Sequence, residues 1–95
     1  MKWKYDSLIK EHKLNYNDSV LSRIQLVRTK KDKYIAITLV SGIYYGIKKQ
    51  EELEKKNKEW VAYRKKFKDR TMANSYIERK KKAILLFINA REKEI

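Results

Sequence analysis

The stretch Tyr34-Ile35-Ala36-Ile37-Thr38-Leu39-Val40, followed by Ser41-Gly42 and then Ile43-Tyr44-Tyr45-Gly46-Ile47-Lys48-Lys49, decides how this chain is read. It is rich in β-branched and aromatic residues, and the 2 glycines of the chain, Gly42 and Gly46, both lie in it. Upstream, Ile24-Gln25-Leu26-Val27-Arg28-Thr29 is a further β-prone run, separated from the first by Lys30-Lys31-Asp32-Lys33. Three short runs divided by a charged tetrapeptide and by Ser-Gly read as hairpins, so the spacing predicts a three-stranded antiparallel meander. With helices expected on both sides of it, the predicted fold is α+β: an N-terminal helix or helices, the meander, and two C-terminal helices packed on one sheet face. Residues 1–95 are read as a single small basic domain.

Alternation along the second run puts Ile35, Ile37 and Leu39 on one face and Tyr34, Ala36 and Thr38 on the other. The first set, being the bulkier aliphatic one, is expected to form the core with Ile43, Tyr45 and Ile47. The open face is then expected to present Arg23, Gln25, Tyr34, Thr38, Tyr44 and Lys48, with Arg28 near the end of the first strand and Lys30, Lys31 and Lys33 on the adjoining turn. Glutamine can bond adenine bidentately, threonine can reach a base or a phosphate, and lysine and arginine neutralise phosphates. These ten residues are the candidate nucleic-acid-binding set. An ordinary solvated sheet face would also favour Tyr, Thr and Lys.

Before the meander, Trp3, Tyr5, Leu8 and Ile9 fall close to helical spacing and predict a short helix. Asn17 or Asp18 could cap a second one through Val20, Leu21 and Ile24, which leaves residues 17–27 open between helix and strand. The segment from Leu8 to Ile24 resembles a helix-turn-helix, which would bring Asn17, Ser19, Ser22 and Arg23 near bases. After the meander, Glu51, Glu52 and Glu54 suit a helix first turn, and Leu53, Trp60, Val61 and Phe67 supply its apolar stripe. Asp69 to Ser75 reads as a break. A last helix follows, with Tyr76, Ile77, Ile84, Phe87, Ile88 and Ile95 on one side. Leu85 and Leu86 fall off that stripe and suggest a second contact, either with the N-terminal helix or with another copy of the chain as a homodimer seam.

The charge balance is 25 Lys+Arg against 12 Asp+Glu, a formal net charge of +13 on 95 residues. Self-repulsion of that size points to an acidic partner, and nucleic acid is the usual one because phosphate neutralisation releases counterions. Codon bias in an AT-rich genome would enrich Lys, Asn, Ile and Tyr as well. With Cys 0 and His12 alone, disulfides, cysteine-based zinc sites and the common nucleophilic triads lack their parts. Neither an enzyme nor a cofactor is expected. The charged start Met1-Lys2-Trp3-Lys4 and the short apolar runs lead to an expectation of a cytoplasmic protein with no membrane partner.

Lys33-Tyr34-Ile35-Ala36-Ile37 and Gly42-Ile43-Tyr44-Tyr45-Gly46, followed by Glu51-Glu52, resemble the AP2-type and integrase amino-terminal DNA-binding domains over the middle third of the chain. Those families lay a three-stranded sheet in the major groove and back it with one helix. The resemblance implies that Tyr34, Thr38 and Tyr44 face DNA. The expected function is a nucleic-acid-binding regulator or accessory factor of phage or plasmid type, with double-stranded DNA before RNA as its partner. The alternative is a small inhibitor that docks onto a host nucleic-acid-handling protein.

Overall fold

A computed structural model describes residues 1–31 and 33–94, with backbone alone for 93 and 94. Five strands, β1 (Lys2–Asp6), β2 (Glu11–Tyr16), β3 (Ser19–Arg28), β4 (Tyr34–Ser41) and β5 (Trp60–Phe67), form one antiparallel sheet in the order β1-β2-β3-β4-β5. A 3-10 turn (Gly42–Tyr45) and helix α1 (Ile47–Lys55) intervene between β4 and β5, and helix α2 (Arg70–Glu94) closes the described chain. At 1.5 Å per residue α2 is about 37 Å long, close to the 42 Å longest dimension of the molecule. It lies across one face of the sheet, where Ile77, Ile84 and Ile88 join Leu14, Leu21, Ile24, Ala36 and Val40 in the core.

The α+β class stands, but the sheet has five strands, and the predicted N-terminal helices are strands. Lys2-Trp3-Lys4-Tyr5-Asp6 alternates strictly, and β1 pairs with β2 in the register Trp3↔Leu14 and Tyr5↔His12. Asn17 and Asp18 cap no helix. They sit at φ 47° and 64°, the pair of left-handed conformations that a two-residue hairpin loop demands and that Asn and Asp tolerate. The helix-turn-helix segment is therefore the β2–β3 hairpin, and residues 17–27, open between helix and strand by sequence, are hairpin loop and strand. The register slips by one residue between Leu14 and Asn15, a bulge that takes up the buried Leu21.

Downstream, the expected third strand Ile43–Lys49 is the 3-10 turn and the start of α1. Gly46, at φ 91°, takes the bend into α1 that a side chain would resist. Gly42 donates to the Glu59 carbonyl at 3.0 Å, and a Cβ there would collide with Leu53 of α1. The long helix expected from Gln50 stops at Lys55. Asn57 adopts φ 53°, its N–H donates to the Glu54 carbonyl, and the Lys58 N–H donates to the Leu53 carbonyl. That is a Schellman stop with Asn as the left-handed residue. Trp60, Val61, Tyr63 and Phe67, released from helix, extend the sheet beside β4. The expected final helix is present as α2, starting earlier, at Arg70; Ile95 and Asp32 of the expected elements lie outside the described residues.

The alternation in β4 is as read, but the faces are exchanged. Ala36, Thr38 and Val40 are buried beneath α2, whereas Ile35, Ile37 and Leu39 are half-buried on the side away from the helix. Small residues on the inner strand β4 let the helix backbone come close, and the bulk of the core comes instead from Leu14, Ile24 and α2 itself. Trp3, on the edge strand β1, donates its Nε1–H to the Lys81 carbonyl at 3.0 Å, tying the first strand to the middle of the last helix. Leu85 packs against the core and only Leu86 of the pair is strongly exposed, at 71%. The expected two-leucine seam is thus reduced to a single exposed leucine.

Candidate nucleic-acid interface

Three connections meet at one end of the sheet. The β1–β2 turn, the β3–β4 turn and the β5–α2 junction are brought together because Glu11 pairs with Gln25, Arg28 with Tyr34, and Tyr34 with Phe67. The exposed cations in and beside them are Lys10, Arg28, Lys30, Lys31, Lys33, Lys66, Lys68 and Arg70, with Leu8 and Ile9 exposed on the β1–β2 turn. The β3–β4 turn is held by its own backbone: Thr29 N–H donates to the Lys33 carbonyl at 2.8 Å, and Lys33 N–H to Thr29 Oγ1 at 3.2 Å. Among the described residues, the carboxylates at this end are engaged locally. Asp6 accepts from Leu8 N–H and Lys13 Nζ at 3.0 and 3.4 Å, and Asp69 caps α2 by accepting from Thr71 N–H at 2.8 Å.

The opposite end differs. Around α1, Lys48, Lys49, Lys55, Lys56 and Lys58 are interleaved with Glu51, Glu52, Glu54 and Glu59, so positive and negative charges nearly cancel. The turn end is therefore more positive than the α1 end, while Lys2, Lys4 and Arg64 on the sheet and Arg79, Lys80, Lys81 and Lys82 on α2 carry much of the remaining positive charge. Lys65 departs from this pattern: its ammonium lies 5.2 Å from the Tyr76 ring centre and 5.9 Å from that of Phe67, on the helix side.

Between the sheet and the start of α2 at this same end lies a cleft of about 620 Å³, lined in part by Tyr5, Lys10, His12, Arg28, Tyr34, Arg70 and Asn74. His12 meets Tyr5 edge-on at 4.9 Å. Its pKa is lowered by burial and by the Lys81 ammonium, with Glu78 opposing, so the imidazole is held neutral at physiological pH. Glu78 is itself drawn below the usual carboxylate range by its hydrogen bond from Lys81.

The ten residues singled out by sequence are split four ways. Arg28, Lys30, Lys31 and Lys33 stand together at the basic end, and Tyr34 is half-buried beside them in the cleft. Arg23 and Gln25 lie on the open face, where Arg23 is bonded to the buried Glu11 at 2.7 Å and sits 5.7 Å from the Trp60 ring centre. Lys48 is on α1 at the far end. Thr38 and Tyr44 are 0% and 5% exposed, so neither meets a ligand on an open face. Thr38 is under α2, and Tyr44 belongs to the 3-10 turn, donating to Glu92 Oε1 at 2.9 Å, with its pKa pushed up to about 12 by burial and that contact. Sequence reasoning missed Lys10, Lys66, Lys68 and Arg70. By spacing, Lys66 and Lys68 suit a helix C-terminus, and only the strand state of β5 brings them beside the Lys30–Lys33 turn.

The open face itself carries an apolar stripe, Val27, Ile35, Ile37, Leu39 and Trp60, flanked by Lys2, Lys4, Arg64 and Lys66. Among the described residues no helix crosses it. Comparisons with models of protein families, with curated proteins and with solved structures return no match. No described helix is long and apolar enough to cross a membrane.

Proposed function

We propose that this chain binds nucleic acid, with duplex DNA as the first candidate, through the basic end of its sheet. The supporting observation is the contrast in charge between the two ends of the sheet. Cations from three separate connections converge at that end, whereas cations around α1 are matched by carboxylates. Lys30, Lys31 and Lys33, presented on a turn with internal hydrogen bonds, contact the phosphate backbone together with Lys66, Lys68 and Arg70, and these contacts fix position rather than read sequence. A regulatory or accessory role follows from a small basic domain of this kind.

The test is affinity for a short duplex across salt concentration, measured by fluorescence anisotropy. Lys30→Gln/Lys31→Gln/Lys33→Gln should flatten the dependence of log affinity on log salt by up to about 2.7, at roughly 0.9 for each phosphate no longer neutralised. The far-end triple Lys55→Gln/Lys56→Gln/Lys58→Gln removes the same charge and should leave the slope almost unchanged. Equal effects of the two triples would show that net charge alone is responsible, and the basic end would lose its role.

A second reading draws on the apolar stripe of the open face, which suits a protein surface better than a phosphate backbone. On that reading the chain inhibits a nucleic-acid-handling protein. Co-purification of such a protein that survives nuclease treatment and is lost in Ile37→Lys would favour it.

A further inference from the structure

We infer that the cleft between β2, β3 and the start of α2 is a binding site for a single phosphorylated nucleoside. The inference stands on the lining of the cleft and not on duplex binding. Its volume of about 620 Å³ falls within the roughly 300–1,000 Å³ common for small-molecule sites. Its lining joins three kinds of group that such a ligand needs together. Lys10 and Arg70 supply positive charge at the mouth, beside Arg28, which is engaged in an interaction of its own, and among the described residues no aspartate or glutamate lines it. Guanidinium groups match phosphate geometry with paired N–H donors. Tyr5, 55% exposed, and the half-buried Tyr34 offer aromatic surface against which a base can lie. Asn74, on the first turns of α2, supplies both a donor and an acceptor to a base edge.

The N–H groups at the start of α2 are not the anion site, because Asp69 already caps them at Thr71. The phosphate is held instead by the side chains of Lys10, from the β1–β2 turn, and Arg70, from α2. A purely apolar ligand would desolvate those cations without compensation, and a metal cation would find no carboxylate among the described lining residues. An unphosphorylated nucleoside would bring no anion to the positive mouth. The same chemistry is available from a free mononucleotide or from the 5′-phosphorylated end of a strand.

The experiment is calorimetric titration of the full chain with adenosine 5′-monophosphate, adenosine and inorganic phosphate. The monophosphate should bind saturably at one site per chain, with adenosine and phosphate each weaker by about tenfold or more, equivalent to about 1.4 kcal/mol. Arg70→Ala and Tyr5→Ala, both at exposed positions, should each weaken it about tenfold, while Lys55→Ala at the far end leaves it unchanged. Circular dichroism on each variant confirms the fold. The inference is overturned if the folded wild-type chain does not bind the monophosphate, if Arg70→Ala and Tyr5→Ala both bind it as wild type does, or if phosphate alone binds equally well. Duplexes with 5′-phosphate or 5′-hydroxyl ends then assign the source. Tighter binding of the phosphorylated end supports a strand terminus, and equal binding supports a free nucleotide. The triple Lys30→Gln/Lys31→Gln/Lys33→Gln separates the two sites, since it should weaken duplex binding and leave monophosphate binding intact.

Discussion

Thr38→Val tests which face of β4 is the core. Thr38 is 0% exposed, and its Oγ1 has no hydrogen-bond partner among the described residues. Burying a hydroxyl without a partner costs about 1–3 kcal/mol in protein mutational data, and valine has nearly the same shape with no group to desolvate. The substitution should therefore stabilise the protein by about 1 kcal/mol or more. For a domain of this length each kcal/mol moves the melting temperature by about 4–8 °C, so a rise of at least about 4 °C is expected by differential scanning calorimetry. Thr38→Ser keeps the hydroxyl and removes a methyl, and should lower the melting temperature. On the neighbouring position of the opposite face, Ile37→Lys should cost little, whereas Ala36→Lys should prevent folding, because Ala36 is 1% exposed beneath α2. An unchanged or lower melting temperature in Thr38→Val would refute the placement of Thr38 in a closed, partnerless environment.

Other substitutions probe the remaining joints of the fold. Asn57→Val should destabilise by roughly 1–2 kcal/mol in urea titration, since a β-branched side chain resists the left-handed conformation, and Asn57→Gly should be tolerated. Trp3→Phe removes the hydrogen bond to the Lys81 carbonyl and should cost about 1 kcal/mol, with earlier amide exchange in β1. The pKa of His12 is lowered from its ordinary 6.5, so the unfolded chain binds the proton more readily than the folded one. Stability is full above about pH 6.5 and declines as pH falls through that value toward the lower folded pKa. In His12→Gln the melting temperature should be flatter between about pH 7.5 and 5.5, and because His12 is the 1 histidine of the chain, an unchanged profile would exclude it as the cause.

What the sequence made legible was period, and what it hid was direction. Strict alternation in Tyr34–Val40 correctly separates two faces, yet it does not say which one a helix will cover. The aliphatic bulk of Ile35, Ile37 and Leu39 argues for one answer, and the close approach that Ala36 permits decides for the other. The stripe Leu53, Trp60, Val61, Phe67 fits a helix by spacing, but Asn57 ends that helix through a backbone conformation that spacing does not register. Asn17-Asp18 likewise serves equally as a helix cap or a hairpin loop until the partner strand is known. Of the candidate interface, the lysines of the β3–β4 turn were visible because they are contiguous. Lys10, Lys68 and Arg70 became their neighbours only through the pairing of strands distant in sequence.

The strand order has a consequence for how the protein is made. Every strand pairs with the strand next to it in the chain, so the sheet can assemble in the order of synthesis, each hairpin or neighbouring strand adding to the last. The layer that covers it comes at the end: until α2 has left the ribosome, Leu14, Ile24, Ala36 and Val40 have nothing to pack against, and Trp3 waits for a carbonyl 78 residues away. A chain released before Arg70 would present two apolar sheet faces at once, so translational pausing or truncation in the second half of the chain is where aggregation should concentrate.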